Sequence, residues 1–145
     1  MKQSRPSIEP IDANDFISSA MLEFMIDTQL AQMALVRGTT ESIRSAATDL
    51  IEGCKRVISD ITGIATRKNL PLPKSLDEQH ETILRDMREQ PDSDFDSAYR
   101  DRMASHHRQA ITLFRRGQTI KVPEISAFAS RALAMMEAAY RAYAS

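Results

Sequence analysis

The chain has 145 residues, 42% hydrophobic and 27% charged, which is enough for one compact domain with a single core and too little for two. A formal net charge of −1 gives no general pull toward nucleic acid or an anionic membrane, and the lone cysteine, Cys54, excludes an internal disulfide. No stretch is apolar for the roughly 18 residues that a membrane span needs, and residues 1–10 hold no apolar run of signal-peptide length. With Met1 as the natural start, the protein is expected to stay in the cytoplasm.

Residues 1–12 read as a flexible N-terminal segment and 13–145 as a single helical-bundle domain. Segment one, from about Ala13 to Arg37, starts behind Asp12 or Asn14 as N-cap and stops at Gly38, expected in the left-handed conformation. Phe16, Ala20, Met21, Phe24, Met25, Leu30, Ala31, Met33, Ala34 and Leu35 cover most of its circumference, so it is buried on more than one side. Segment two runs from about Glu41 to Lys68, capped by Thr39 or Thr40 and stopped at Asn69 before Pro71. Its stripe of Ile43, Ala47, Leu50, Ile51, Cys54, Val57, Ile58, Ile61 and Ala65 steps by three and four residues, which is helix spacing despite the β-branched side chains.

Leu70-Pro71-Leu72-Pro73 makes an extended break, and Ser75-Leu76-Asp77-Glu78 has the S-x-x-E form of a capping box ahead of a short helix to about Arg88. Segment four runs from about Asp94 to Arg116, with Phe95, Tyr99, Met103, Ala110, Leu113 and Phe114 on one face. Pro123 suits the first position of segment five, whose inner face carries Ile125, Phe128, Ala129, Ala132, Leu133, Met136, Ala139, Tyr140 and Tyr143. The short turns after segments one and four make two antiparallel hairpins. The connection between the hairpins is long enough to travel the length of the bundle. The expected fold is therefore all-α, a ferritin-like four-helix bundle with one crossover and a short extra helix in it. An up-down bundle with the short helix laid across one end is the alternative.

The chain resembles a bacterial family of unknown function, often labelled predicted outer membrane proteins, whose domain is a ferritin-like helical bundle. The resemblance rests on Asp15-Phe16-Ile17, the Leu70-Pro71-Leu72-Pro73 break with Leu76-Asp77-Glu78-Gln79-His80, and Phe95-Asp96-Ser97-Ala98-Tyr99. Met103-Ala104-Ser105-His106-His107, Ala110-Ile111-Thr112-Leu113-Phe114 and Ala127-Phe128-Ala129 continue it. It implies an exported protein, whereas residues 1–10, with Met1 as the natural start, lead to the expectation of a cytoplasmic one. It also implies histidine at the positions of Cys54, His80, His107 and Ala139, and acidic residues at or near Asp27, Gln29, Gly53 and His106. Of these, His80, His107 and the shorter carboxylate Asp27 are kept.

The residues themselves give little support to known chemistries. A di-iron or di-manganese carboxylate site needs a Glu-x-x-His pair on each of two helices, and none occurs. His-Glu-x-x-His, Cys-x-x-Cys, a phosphate-binding glycine loop and a Gly-x-Ser-x-Gly elbow are also missing. Arg100, Arg102, Arg108, Arg115 and Arg116 lack interleaved aromatics and read as a solvated face, not a nucleic-acid surface. The methionines follow the helical stripes and read as core filler.

Two readings remain. The first is a non-enzymatic module that binds a partner, a second copy included, through apolar surface left on segment one or five. The alternative is a repurposed metal or redox site of Asp27, Cys54 and His107, with His80 and His106 as further candidates. No cofactor is required by the sequence; a divalent transition metal would suit the alternative. Cys54 among Leu50, Ile51, Val57 and Ile58 reads as a buried small hydrophobe, Asp27 as buried with a partner, His106 and His107 as boundary residues, and His80 as a packing or capping residue.

Overall fold

Side-chain oxygens set the helix starts in the computed structural model, which describes residues 9–144. Residues 1–8 of the expected flexible segment lie outside the described residues. Asp12 Oδ1 accepts the Asp15 N–H at 2.8 Å to open α1 (Ala13–Arg37). Thr40 Oγ1 accepts the Ile43 N–H at 3.2 Å to open α2 (Glu41–Lys68). Each cap is worth about 1 kcal/mol. At α3 (Glu78–Arg88) the cap is Asp77, which accepts the His80 N–H at 2.9 Å. The start expected at Ser75 moves two residues on, because a carboxylate is the stronger acceptor for the free N–H groups of a first turn. A single 3-10 turn at Asp92–Asp94 leads into α4 (Phe95–Gly117), and α5 (Pro123–Ala144) begins at its proline as expected. No strand occurs among the described residues.

Gly38 ends α1 in a way the sequence did not suggest. Its φ of −65° and ψ of 139° are extended rather than left-handed. A Cβ there would lie 2.6 Å from the Ala34 carbonyl oxygen and 3.0 Å from the Ile43 side chain. Glycine is needed for the tightness of the α1–α2 turn, not for a positive φ. The left-handed residue is Asn69 at the end of α2, with φ 55°.

Contacts along the helices fix their directions. Phe16 near the start of α1 meets Phe114 near the end of α4, and Arg37 at the end of α1 stacks on Phe95 at the start of α4. These two helices are antiparallel. At the end of α2, Arg67 pairs with Glu124 at the start of α5, and Arg131 lies 3.7 Å from Asp60, so α2 and α5 are antiparallel as well. With the two hairpins, this puts α2 and α4 in the same direction and obliges the connection between them to run the length of the bundle.

That crossover carries α3, which packs on α1 and α4 and buries Leu84 and Met87. Its far end is held by Arg37, whose guanidinium donates to the carbonyls of Met87, Arg88 and Gln90 and pairs with Asp92 at 2.9 Å.

The core has two aromatic ends. Phe24 stacks on Phe114 at 5.6 Å and meets Phe128 edge-on, while Tyr99 stacks on Phe95 and meets Tyr143 edge-on at the other end. Among the described residues only Leu35 and Val36 are exposed large hydrophobics.

Two glycines with ordinary backbone angles give opposite expectations. A Cβ at Gly117 would lie 2.4 Å from the ring of Phe16, which is fully buried against Phe114 and has nowhere to move. At Gly63 the nearest neighbour is the Arg67 guanidinium at 3.3 Å, which can swing into solvent. Gly117→Ala should therefore destabilise by about 1–3 kcal/mol, and Gly63→Ala should stabilise by about 0.4–1 kcal/mol. Chemical denaturation of both variants checks the pair, and equal effects would contradict this packing.

Candidate metal centre

Asp15, Glu23 and Asp27 are the only charged residues of α1 before Arg37, and the last two stand one helical turn apart in an otherwise apolar stretch. Both are buried against α4, Asp27 completely. Opposite them, consecutive residues on α4 point about 100° apart around the helix, so His106 and His107 straddle the interface. His107 is fully inside, with Nε2 2.9 Å from Asp27 Oδ2. His106 lies on the side of α3, with Nε2 2.5 Å from Glu23 Oε2 and 3.7 Å from Asp27 Oδ1.

The proximity of these atoms is not matched by hydrogen bonding. Glu23 Oε2, Asp27 Oδ1 and His106 Nε2 are buried without an aligned hydrogen-bond partner, and so is His107 Nδ1. Buried polar atoms are almost always bonded, so a cluster of exceptions calls for an explanation such as a bound ion. Glu23, Asp27 and His106 each offer one ligand atom, and these atoms lie within 4.8 Å of one another. Ligands that share one ion at about 2.1 Å stand roughly 3 to 4 Å apart, so small side-chain rotations would seat a cation among them. Two carboxylate oxygens and an imidazole suit manganese, iron(II), cobalt or zinc.

The electrostatics follow from dryness. Burial raises the Glu23 carboxyl and the nearby Asp27 charge adds to this, with His106 opposing. Burial alone would lower His106, but the Glu23 carboxylate against it, with Asp27 behind, pushes it up to about 9. Both groups hold protons more tightly than they would in water, Glu23 through burial and His106 through the carboxylates beside it. Deeper in, the His107 ring stacks on Tyr143 at 5.9 Å, and the Tyr143 and Tyr99 hydroxyls bond at 2.7 Å. Burial raises both phenols.

Of the candidates read from the sequence, Asp27 and His107 are brought together, and His106 joins Asp27 in the donor set instead of standing at a boundary. Cys54 is fully buried on α2 and lies outside that set. Burial raises its thiol, and the Asp27 and Glu23 charges raise it further. His80 on α3 presents its ring 6.3 Å from that of His106, edge to face. Glu23 was missed. Its signal is the i, i+4 pair of acids on a helix with no base before Arg37, which a Glu-x-x-His pattern cannot register because that pattern places both ligands on one helix.

An all-helical domain with buried carboxylates and imidazoles facing each other across two of its long helices defines the class. Over residues 1–144 the chain matches the family described as Domain of unknown function (DUF4142), and it belongs to that family. No curated protein and no solved structure matches it. Among the described residues no helix is long and apolar enough to cross a membrane.

The setting of Cys54 makes it a packing residue. Thiol labelling of the native protein at neutral pH should be slow and become fast on unfolding, because the reactive thiolate is suppressed and covered. Cys54→Ala should cost on the order of 1 kcal/mol and leave metal content unchanged. Rapid native labelling would contradict this role.

Proposed function

We propose that the chain is a metal-binding helical bundle of ferritin-like topology, in which Glu23, Asp27 and His106 hold one divalent transition-metal ion between α1 and α4. The observation that carries this reading is the convergence of three buried donor atoms that make no aligned hydrogen bonds with one another. Facing helices of a bundle are a common place to build such a centre. His107 fits as an outer group: its bond to Asp27 Oδ2 leaves Oδ1 turned toward the cluster and fixes the carboxylate's orientation. The ligand set differs from the one considered from the sequence, since Glu23 and His106 stand in place of Cys54.

The function is one of binding. The tyrosines beside His107 are buried, with Tyr143 at the edge of a trough between α2 and α5. The partner-docking reading expects apolar surface on segment one or five; on α1, Leu35 and Val36 are exposed and Met21, Leu22, Met25 and Met33 half-buried, and on α5 Ala138, Ala139 and Ala142 line an open trough.

Calorimetric titration of the full chain with zinc or cobalt(II) should give one ion per chain. At free metal a hundred times Kd the added stability is about 2.7 kcal/mol, a rise in Tm of roughly 5–10 °C for a domain of this size. The double substitution Glu23→Gln with His106→Ala should lower affinity at least a hundredfold. Equal binding by this variant, or no heat and no stabilisation in the unsubstituted chain, would refute the reading.

A further inference from the structure

We propose that His80, carried on the crossover helix α3, is a fourth protein ligand to the ion and that Asp77 orients it. This rests on the metal reading above and adds the element that closes the site. Glu23, Asp27 and His106 come from only two helices, and α3 is the third element packed over that same pair. His80 is the residue it places beside His106, with side chain 17% exposed where that of His106 is 5% exposed. His80 is therefore more open to water than the His106 side chain beside it.

Two features of His80 exceed what a capping residue needs. Asp77 caps α3 by accepting the His80 backbone N–H, yet its Oδ1 also lies 2.5 Å from His80 Nδ1. A carboxylate on Nδ1 holds the proton there, which leaves Nε2 as a lone-pair donor; metal-bound histidines commonly have such a carboxylate partner. Among the described residues Nε2 has no hydrogen-bond partner. The second feature is distance. Two imidazoles that share an ion at about 2.1 Å have ring centroids roughly 5 to 6 Å apart, and the His80 and His106 centroids are 6.3 Å apart and nearly perpendicular. His80 lies outside the group of ligand atoms within 4.8 Å of one another, so binding would turn its ring toward Glu23, Asp27 and His106. The completed set of two imidazoles and two carboxylates suits a four-coordinate zinc or cobalt(II) ion.

The test loads the full chain with zinc and reads both affinity and the number of imidazoles at the metal by X-ray absorption. The unsubstituted chain should show two imidazoles. His80→Ala should show one, with an affinity 10 to 100 times lower, while α3 keeps its Asp77 cap and its helical signal. Asp77→Asn, which can still cap the helix, should weaken binding by a smaller factor with the imidazole count intact. If His80→Ala binds zinc as tightly as the unsubstituted chain with the same imidazole count, the role of His80 is refuted and the three-ligand centre stands. If zinc binding is absent, or survives Glu23→Gln with His106→Ala, the metal reading falls and the His80 assignment falls with it.

Discussion

A carboxylate with no exposure, Asp27, has to keep its partner His107 at hydrogen-bond distance across α1 and α4, and the alignment of those helices depends on it. Removing one member of such a pair strands the other in a low-dielectric interior, at about 3–5 kcal/mol. Sliding α4 by one turn, about 5.4 Å, would do the same while also pulling Phe114 from Phe16 and Phe24 and separating Phe95 from Arg37. Apolar side chains of the same volume could hold this interface as well or better. The pair is therefore weak evidence for stability as such, and two more buried ionisable groups, Glu23 and His106, stand beside it.

The crossover follows from lengths. With 28 residues, α2 is about 42 Å long, and the connection has to recover that distance for α4 to run the same way. Leu70 to Asp77, extended at about 3.3 Å per residue, covers about 26 Å, and the 11 residues of α3 add about 16 Å. The two prolines keep the first part extended. Arg37 then gathers the carbonyls at the end of α3 and the face of Phe95 into one contact, so that the end of α1 positions both the crossover and the start of α4. His80 is held over the α1–α4 interface by this same arrangement.

Helix extents were legible in the sequence because they depend on local signals: Asp12, Thr40, Asn69 and Pro123 act where they stand. The two misread signals, Gly38 and Ser75, were also local, and each lost to something from outside the pattern. For Gly38 it was the approach of Ile43; for Ser75, a stronger acceptor two residues on. The choice between one crossover and an up-down bundle could not be read locally, since it depends on which ends of distant helices meet, as Phe16 with Phe114 and Arg67 with Glu124. The donor cluster was hidden for the same reason. Its members come from α1 and α4, some eighty residues apart, and no spacing motif joins them. Burial of Asp27 and Cys54 was readable from their stripes, whereas the direction each side chain takes across the core was not.

Cys54, Gly53 and Ala139 bear on why the donor cluster draws only on α1 and α4. The resemblance implies polar residues at these positions on α2 and α5, but here they are small, and an open trough of about 430 Å³ lies between the two helices, lined in part by Gly53, Ala138, Ala139 and Ala142. Met135 occupies the space beside Gly53: a Cβ at Gly53 would lie 2.7 Å from its Sδ. A larger residue at position 53 would require the flexible Met135 side chain to shift along the trough. With only Glu23 and Asp27 as carboxylates, the donors can neutralise one divalent ion, whereas a pair of ions in a bundle is held by four acids with two histidines. On the proposed reading these donors would hold a single ion between α1 and α4, beside α3.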